Sequence, residues 1–228
     1  MLLRLFDWNN LSIQCYTLFI DSKHHPTEYS FESPNPHYYF QINNVGNDKA
    51  LLSRIKNREK WIWNSGFHKI IGLRDMYSKE YREEVKNATI DGAVNQLFID
   101  AHQEEINKFS NRPHDIFFNF SIMEIESWIL GFGTIFEKMN PLLTSQVIKQ
   151  SIGYYIEEVD PQHTFFHPSV VLDRIFQTVN QQYDKKKGDI SAILSYIEKD
   201  DYLNLYNKSI CESFNKFYDS LGLPNFNL

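Results

Sequence analysis

Apolar and polar positions along this 228-residue chain change period several times, and each change marks a predicted element. Leu2, Leu5, Phe6, Trp8 and Leu11 recur at helical spacing, which predicts a helix over about 2–15. YTLFI at 16–20 and HYYFQINNV at 37–45 read as strands on either side of a loop carrying Pro26, Pro34 and Pro36. After Gly46, Asn47 or Asp48 caps a helix whose apolar positions are Leu51, Leu52, Ile55, Trp61 and Ile62, ending at Gly66. FHKIIGLRD is the clearest strand, segments 78–88 and 92–109 are helical, and DIFFNFS after Pro113 is the next strand. Strand, helix, strand, helix, strand is the order of an α/β layer with parallel strands.

From Ile122 onward the pattern is mainly helical, interrupted at Pro141, Pro161, Pro168 and Gly188. This predicts an α/β core over residues 1–135 and a helical part over 136–228 packed on it, with Ile175, Phe176, Ile193, Leu194, Leu205, Phe214 and Phe217 mostly buried. No internal repeat or low-complexity tract occurs.

Composition narrows the class. A hydrophobic fraction of 42% with 18 Phe, 13 Tyr and 4 Trp is that of a globular chain. A net charge of −6 argues against coating duplex nucleic acid by bulk electrostatics, leaving local basic loops or a metal as routes to such a ligand. Cys15 and Cys211, far apart, suggest a reducing compartment rather than a disulfide scaffold. The stretch from Leu2 to Phe6 is too short, and too soon broken by Asp7, for a signal peptide or membrane span. Cytoplasmic location is the simplest expectation.

Chemistry concentrates where two apolar runs end on acids: KIIGLRD at Asp75, and DIFFNFSIMEIE at Glu124 and Glu126. Strands that deliver carboxylates at one sheet edge line up oxygen ligands for a hard cation. On a regular helix, residues two apart point about 200° from one another, so Glu124 and Glu126 would not share a site. Ser121 and Glu124 have the S-x-x-E spacing of a capping box. Glu126 has Ile122, Met123, Ile129 and Leu130 as its helical neighbours; a carboxylate on such a face is either paired with a structural Arg or Lys or a functional acid. Asp75 is a turn residue or a site acid, and Arg74 and Tyr77 flank the same edge. Trp128 reads as core. Lys185, Lys186 and Lys187 ahead of Gly188 are a phosphate-backbone contact or a solvated turn. His163 and His167, between Pro161 and Pro168, read as loop residues rather than a zinc site.

IIGLRDMYS, FFNFSIMEIESWILGF and a helical tail with YDKKKGD and SICESFNKFYDSL together resemble a bacterial Toprim-like family related to the OLD-type nucleases. Asp75 with Tyr77 matches its acid-x-Tyr step, and Glu124, Glu126 and Trp128 match its E-x-E-x-W helix start. The match runs from about residue 38 to 217. It implies a parallel-sheet core sandwiched by helices, with Asp75, Glu126 and Glu124 as ligands of Mg²⁺ or Mn²⁺. It also implies Asp75 and Glu126 as catalytic acids of a nuclease or phosphodiester-processing protein, and Lys185, Lys186, Lys187 and Arg74 as nucleic-acid contacts. Such proteins are often placed beside an ABC-type ATPase in anti-phage defence. The chain departs from the family at its start, where an E-G-x-T-E-like motif supplies the general acid/base; Asp21 is a poor substitute. Either the start is truncated or the chain is a catalytically silent binding module. If a metal bridges them, the carboxylates of Asp75 and Glu126 should lie about 4 to 8 Å apart.

Overall fold

The computed structural model describes residues 1–18, 23–85 and 88–223, apart from the side chain of Lys186. The chain is a mixed α/β protein with, among the described residues, two small sheets and twelve α-helices. Its strands are β1 (Leu11–Leu18), β2 (His24–Pro26), β3 (Tyr38–Asn44), β4 (Ile70–Asp75) and β5 (Ile116–Ser121). The helices of the first half are α1 (Leu2–Leu5), α2 (Ala50–Asn64), α3 (Lys79–Glu84) and α4 (Gly92–Phe109). Then come α5 (Glu126–Gly131), α6 (Ile135–Met139), α7 (Ser145–Ile152), α8 (Pro161–Thr164), α9 (Pro168–Gln177), α10 (Asp189–Ser195), α11 (Lys199–Lys208) and α12 (Glu212–Ser220). By backbone proximity the chain divides into two compact units. One is Met1–Gly72 with Glu105–Phe117 and the residues from Gly222, and the other is Leu73–Glu104 with Phe118–Leu221.

In the first unit β1 is the central strand, parallel to β3 from Leu11↔Tyr38 to Thr17↔Asn44 and antiparallel to β2. The helix expected over 2–15 stops after one turn, since Asp7 caps a 3-10 turn through Asn9 N–H and Leu11 already begins β1. Leu11 satisfies a helical and an alternating period alike, and the ladder with β3 decides for the strand. Phe19, Ile20 and Asp21 lie outside the described residues.

Helix α2 begins where Asn47 Oδ1 accepts Ala50 N–H at 2.9 Å. Its buried stripe is Leu51, Ile55 and Glu59, while Trp61 is exposed. The Glu59 carboxylate is satisfied inside the unit by the Ser110 hydroxyl at 2.7 Å and the Trp63 indole N–H at 3.2 Å.

The second unit holds the carboxyl halves of β4 and β5 and most of the helices. Met76, Tyr81, Phe120, Ile122 and Met123 form one buried cluster, backed by Val94 and Phe98 of α4. Every residue of α5 is buried. A Cβ on Gly131 would stand 2.8 Å from Cys211 Sγ and 3.0 Å from a Leu205 methyl, so α11 and α12 pack against bare backbone there. Ile175, Phe176, Ile193, Leu205 and Phe214 are buried as expected and Phe217 partly so; Leu194 is exposed, on the outer side of α10. Among the described residues no helix is long and apolar enough to cross a membrane.

Candidate functional site

Strands β4 and β5 pair, and their carboxyl ends lie side by side: Met76 N–H donates to Ser121 O at 2.9 Å and Tyr77 N–H to Met123 O at 2.8 Å. Asp75 is fixed at this edge. Its Oδ1 accepts the Ser121 hydroxyl at 2.7 Å and the Ile125 N–H at 3.0 Å.

After Ser121 the chain does not enter a helix at once. Met123, wholly buried, holds φ at +64°, a left-handed conformation that costs a non-glycine residue about 1 kcal/mol or more. The turn is held by the Ser127 hydroxyl, which reaches Ile122 O at 3.0 Å and Glu124 O at 2.8 Å. Helix α5 begins only at Glu126. Two expectations are corrected by this kink. Ser121 and Glu124 form no capping box, because Ser121 serves Asp75 while Glu124 accepts the Ser169 hydroxyl at 2.8 Å. Helical geometry does not separate Glu124 from Glu126 either, since Glu124 precedes the helix.

Glu126 has no exposed surface. The Tyr183 hydroxyl donates to its Oε1 at 2.8 Å, and the Lys185 ammonium lies 3.1 Å from Oε1 and 3.2 Å from Oε2. The same ammonium is 3.7 Å from Asp75 Oδ2. One cation thus spans both acids, and two contacts of 3.7 and 3.1 Å hold their oxygens within about 7 Å of each other.

Burial works against the Lys185 charge, but the carboxylates of Glu126, Asp75 and Glu124 outweigh it, and the lysine pKa is raised. Burial, then the hydrogen bond and charge of Glu126, push the Tyr183 phenol far above its ordinary value, so it stays a donor. The segment carrying both residues is pinned at its ends. Tyr183 N–H donates to Asp173 Oδ1 at 3.0 Å, and Asp184 N–H to Asp189 Oδ2 at 2.6 Å.

Of the residues singled out in the sequence, Asp75, Glu126 and Lys185 meet directly, with Glu124 acting on the lysine through its field. Lys187 is exposed, 3.8 Å from Asp184. The Lys186 side chain lies outside what is described. Arg74 donates to Asp75 O at 3.3 Å and lies over the Phe120 ring, with His102 Nε2 3.4 Å from its guanidinium. Tyr77 packs edge-on against Phe166 and His167. His163 is 3.8 Å from Asp160. Trp128 is buried, its ring against Phe214 and Phe217 and its indole N–H donating to Ser213 Oγ at 2.8 Å.

Sequence reasoning missed Tyr183. A buried carboxylate at Glu126 signalled that donors must exist, but nothing local pointed across 57 residues to that tyrosine.

Asp75, Glu126 and Glu124 are the donor types a hard cation takes, yet as they stand they do not fit one. Both Glu126 oxygens are engaged by protein donors, Asp75 Oδ1 accepts two more, and the space between the acids holds an ammonium. No family model matches the chain, and no curated protein or solved structure does either.

Proposed function

We propose that the chain is a Toprim-like module whose acid centre is filled by its own lysine, and that it acts by binding rather than by cutting. Its role on this reading is regulatory, as the partner of an ABC-type ATPase. The observation that carries the reading is the Lys185 ammonium, in contact with Glu126 and Asp75 at the carboxyl ends of β4 and β5. A lysine in that place neutralises charge that a catalytic cation would otherwise use. The sequence resemblance supplies the rest.

The test is a cleavage assay with Mn²⁺ on plasmid, single-stranded DNA and tRNA, with and without the ATPase, comparing wild type with Asp75→Ala and Glu126→Ala. The expected result is no cleavage above either variant. Robust cleavage lost in both variants overturns the silent module.

That outcome would favour a second reading, a Mg²⁺- or Mn²⁺-dependent nuclease or phosphodiester-processing protein of anti-phage defence. One observation supports it: Asp75, Glu124 and Glu126 all act on a single ammonium.

A further inference from the structure

The divalent ion that the resemblance implies and the residues that meet at Asp75 and Glu126 disagree, and the disagreement has a physical form. We infer that Lys185 is the resident cation of the acid centre, a built-in competitor that stands where a divalent ion would stand and keeps such an ion out.

An ammonium and a hard metal ion make the same demand, anionic oxygens converging on one point. Lys185 Nζ meets it with both Glu126 oxygens at 3.1 and 3.2 Å and Asp75 Oδ2 at 3.7 Å. A metal ion would draw the oxygens in to about 2.0–2.6 Å, or keep a water between. The groups holding the acids are independent of the lysine, so those contacts stay when it is removed: Ser121 and Ile125 for Asp75, Tyr183 for Glu126, Ser169 for Glu124.

The lysine differs from those supports. Its side chain is 48% exposed while Glu126 is 0% exposed, so the ammonium reaches a buried acid from the solvent side. It is carried on a single 3-10 turn, Lys185–Lys187, which ends at Gly188 with φ +86°. Being covalently attached, the ammonium never dilutes away, and a dissolved ion must displace it. It brings one positive charge to three carboxylates, so the centre without it would hold a divalent ion more strongly than the centre with it. The inference rests on the silent-module reading and concerns occupancy alone, which is measured without nucleic acid.

The experiment titrates Mn²⁺ into the full chain, reading binding by electron paramagnetic resonance and the melting temperature in parallel. Wild type, Lys185→Ala, Lys185→Gln and Lys185→Arg are compared, with Lys138→Ala as a control for losing a different bridged lysine. Lys185→Ala and Lys185→Gln should melt lower than wild type without metal, bind Mn²⁺ at least about tenfold more tightly, and regain melting temperature as it binds. Adding Asp75→Asn to Lys185→Ala should abolish the gain. Lys185→Arg and Lys138→Ala should respond as wild type does. If Lys185→Ala folds only with Mn²⁺ present, the inference stands. Wild type binding Mn²⁺ as tightly as Lys185→Ala overturns it, as does a folded Lys185→Gln that gains no affinity. Cleavage enters none of these readouts, so failure here and failure of the silent-module reading are distinguishable.

Discussion

Two lysine–carboxylate bridges in the second unit look alike at first and are built for different ends. Lys138 holds Asp201 at 2.7 and 2.8 Å, with the lysine side chain 41% exposed and the acid 5% exposed. Lys185 holds Glu126 with nearly the same asymmetry, a half-exposed lysine on a buried acid. The difference lies in what else each acid does. Asp201 is committed to local structure: its Oδ2 also accepts Glu198 N–H at 2.8 Å, completing the capping box of α11. Lys138 also lies 3.8 Å from Glu198, but that acid belongs to the same capping box, whereas Glu126 serves no cap and shares its cation with Asp75 of another element, with Glu124 acting on the same lysine. A bridge that closes a helix end explains its residues completely, whereas one cation shared among converging acids leaves chemistry over.

The sharpest way to break the contrast is Glu126→Ala. It would leave the Tyr183 hydroxyl unpaired beside a cavity and strand the lysine, which can turn to solvent. The expected loss is about 2–3 kcal/mol in urea unfolding, below the full cost of breaking a wholly buried pair. Glu126→Gln, keeping shape and the tyrosine's acceptor, should lose less than half of that. Equal losses in the two would mean that charge alone carries the centre.

Next in size is Gly131→Ala, which tests packing beside the centre without touching its charges. The added methyl meets Cys211 Sγ and Leu205. About 1–3 kcal/mol should be lost, with the Mn²⁺ response of every lysine variant unchanged.

Asp201→Ala should cost about 1–2 kcal/mol through the lost cap and bridge, and should create no response to Mn²⁺. A metal response there would erase the distinction between the two bridges.

The smallest effect concerns pH. His102 Nδ1 lies 2.8 Å from Phe98 O, and its Nε2 faces Arg74, so the neutral ring donates to the carbonyl and accepts from the guanidinium. Burial, and then Arg74, lower its pKa, only partly offset by the Phe98 hydrogen bond. A depressed histidine pKa gives stability fully present above the unfolded value of about 6.5 and lost as pH falls through the lower folded value. The melting temperature should therefore drop on acidification below about pH 6.5, and His102→Phe, between Phe118 and Phe120, should flatten that slope. An unchanged slope would place the acid sensitivity elsewhere.

Much of this architecture was readable from local pattern. β4 and β5 are short runs with isoleucine and aromatics bounded by Gly66, Pro113 and charged segments, and both were recognisable. The need for a partner at Glu126 followed from its apolar helical neighbours. What was illegible is non-local or conformational. A lysine in a KKK turn before glycine reads as solvated, and only the fold shows that the first of the three turns inward. The capping-box reading failed because Met123 adopts positive φ, which no propensity of methionine announces. The opening helix failed because Leu11 fits two periods and a strand 27 residues away settled the choice.

Neither compact unit is a continuous stretch of chain, and this bears on the order in which the molecule is made. The first unit needs Glu105–Phe117 and the residues from Gly222 to be complete, while β4, α4 and β5 each contribute residues to both units. During synthesis, Met1–Gly72 leaves the ribosome before Glu105–Phe117 and far ahead of the residues from Gly222, with the two segments of the second unit translated in the intervals. Cutting the gene after Gly72 would therefore yield a fragment lacking Ser110, the hydroxyl that satisfies buried Glu59, rather than a free-standing domain.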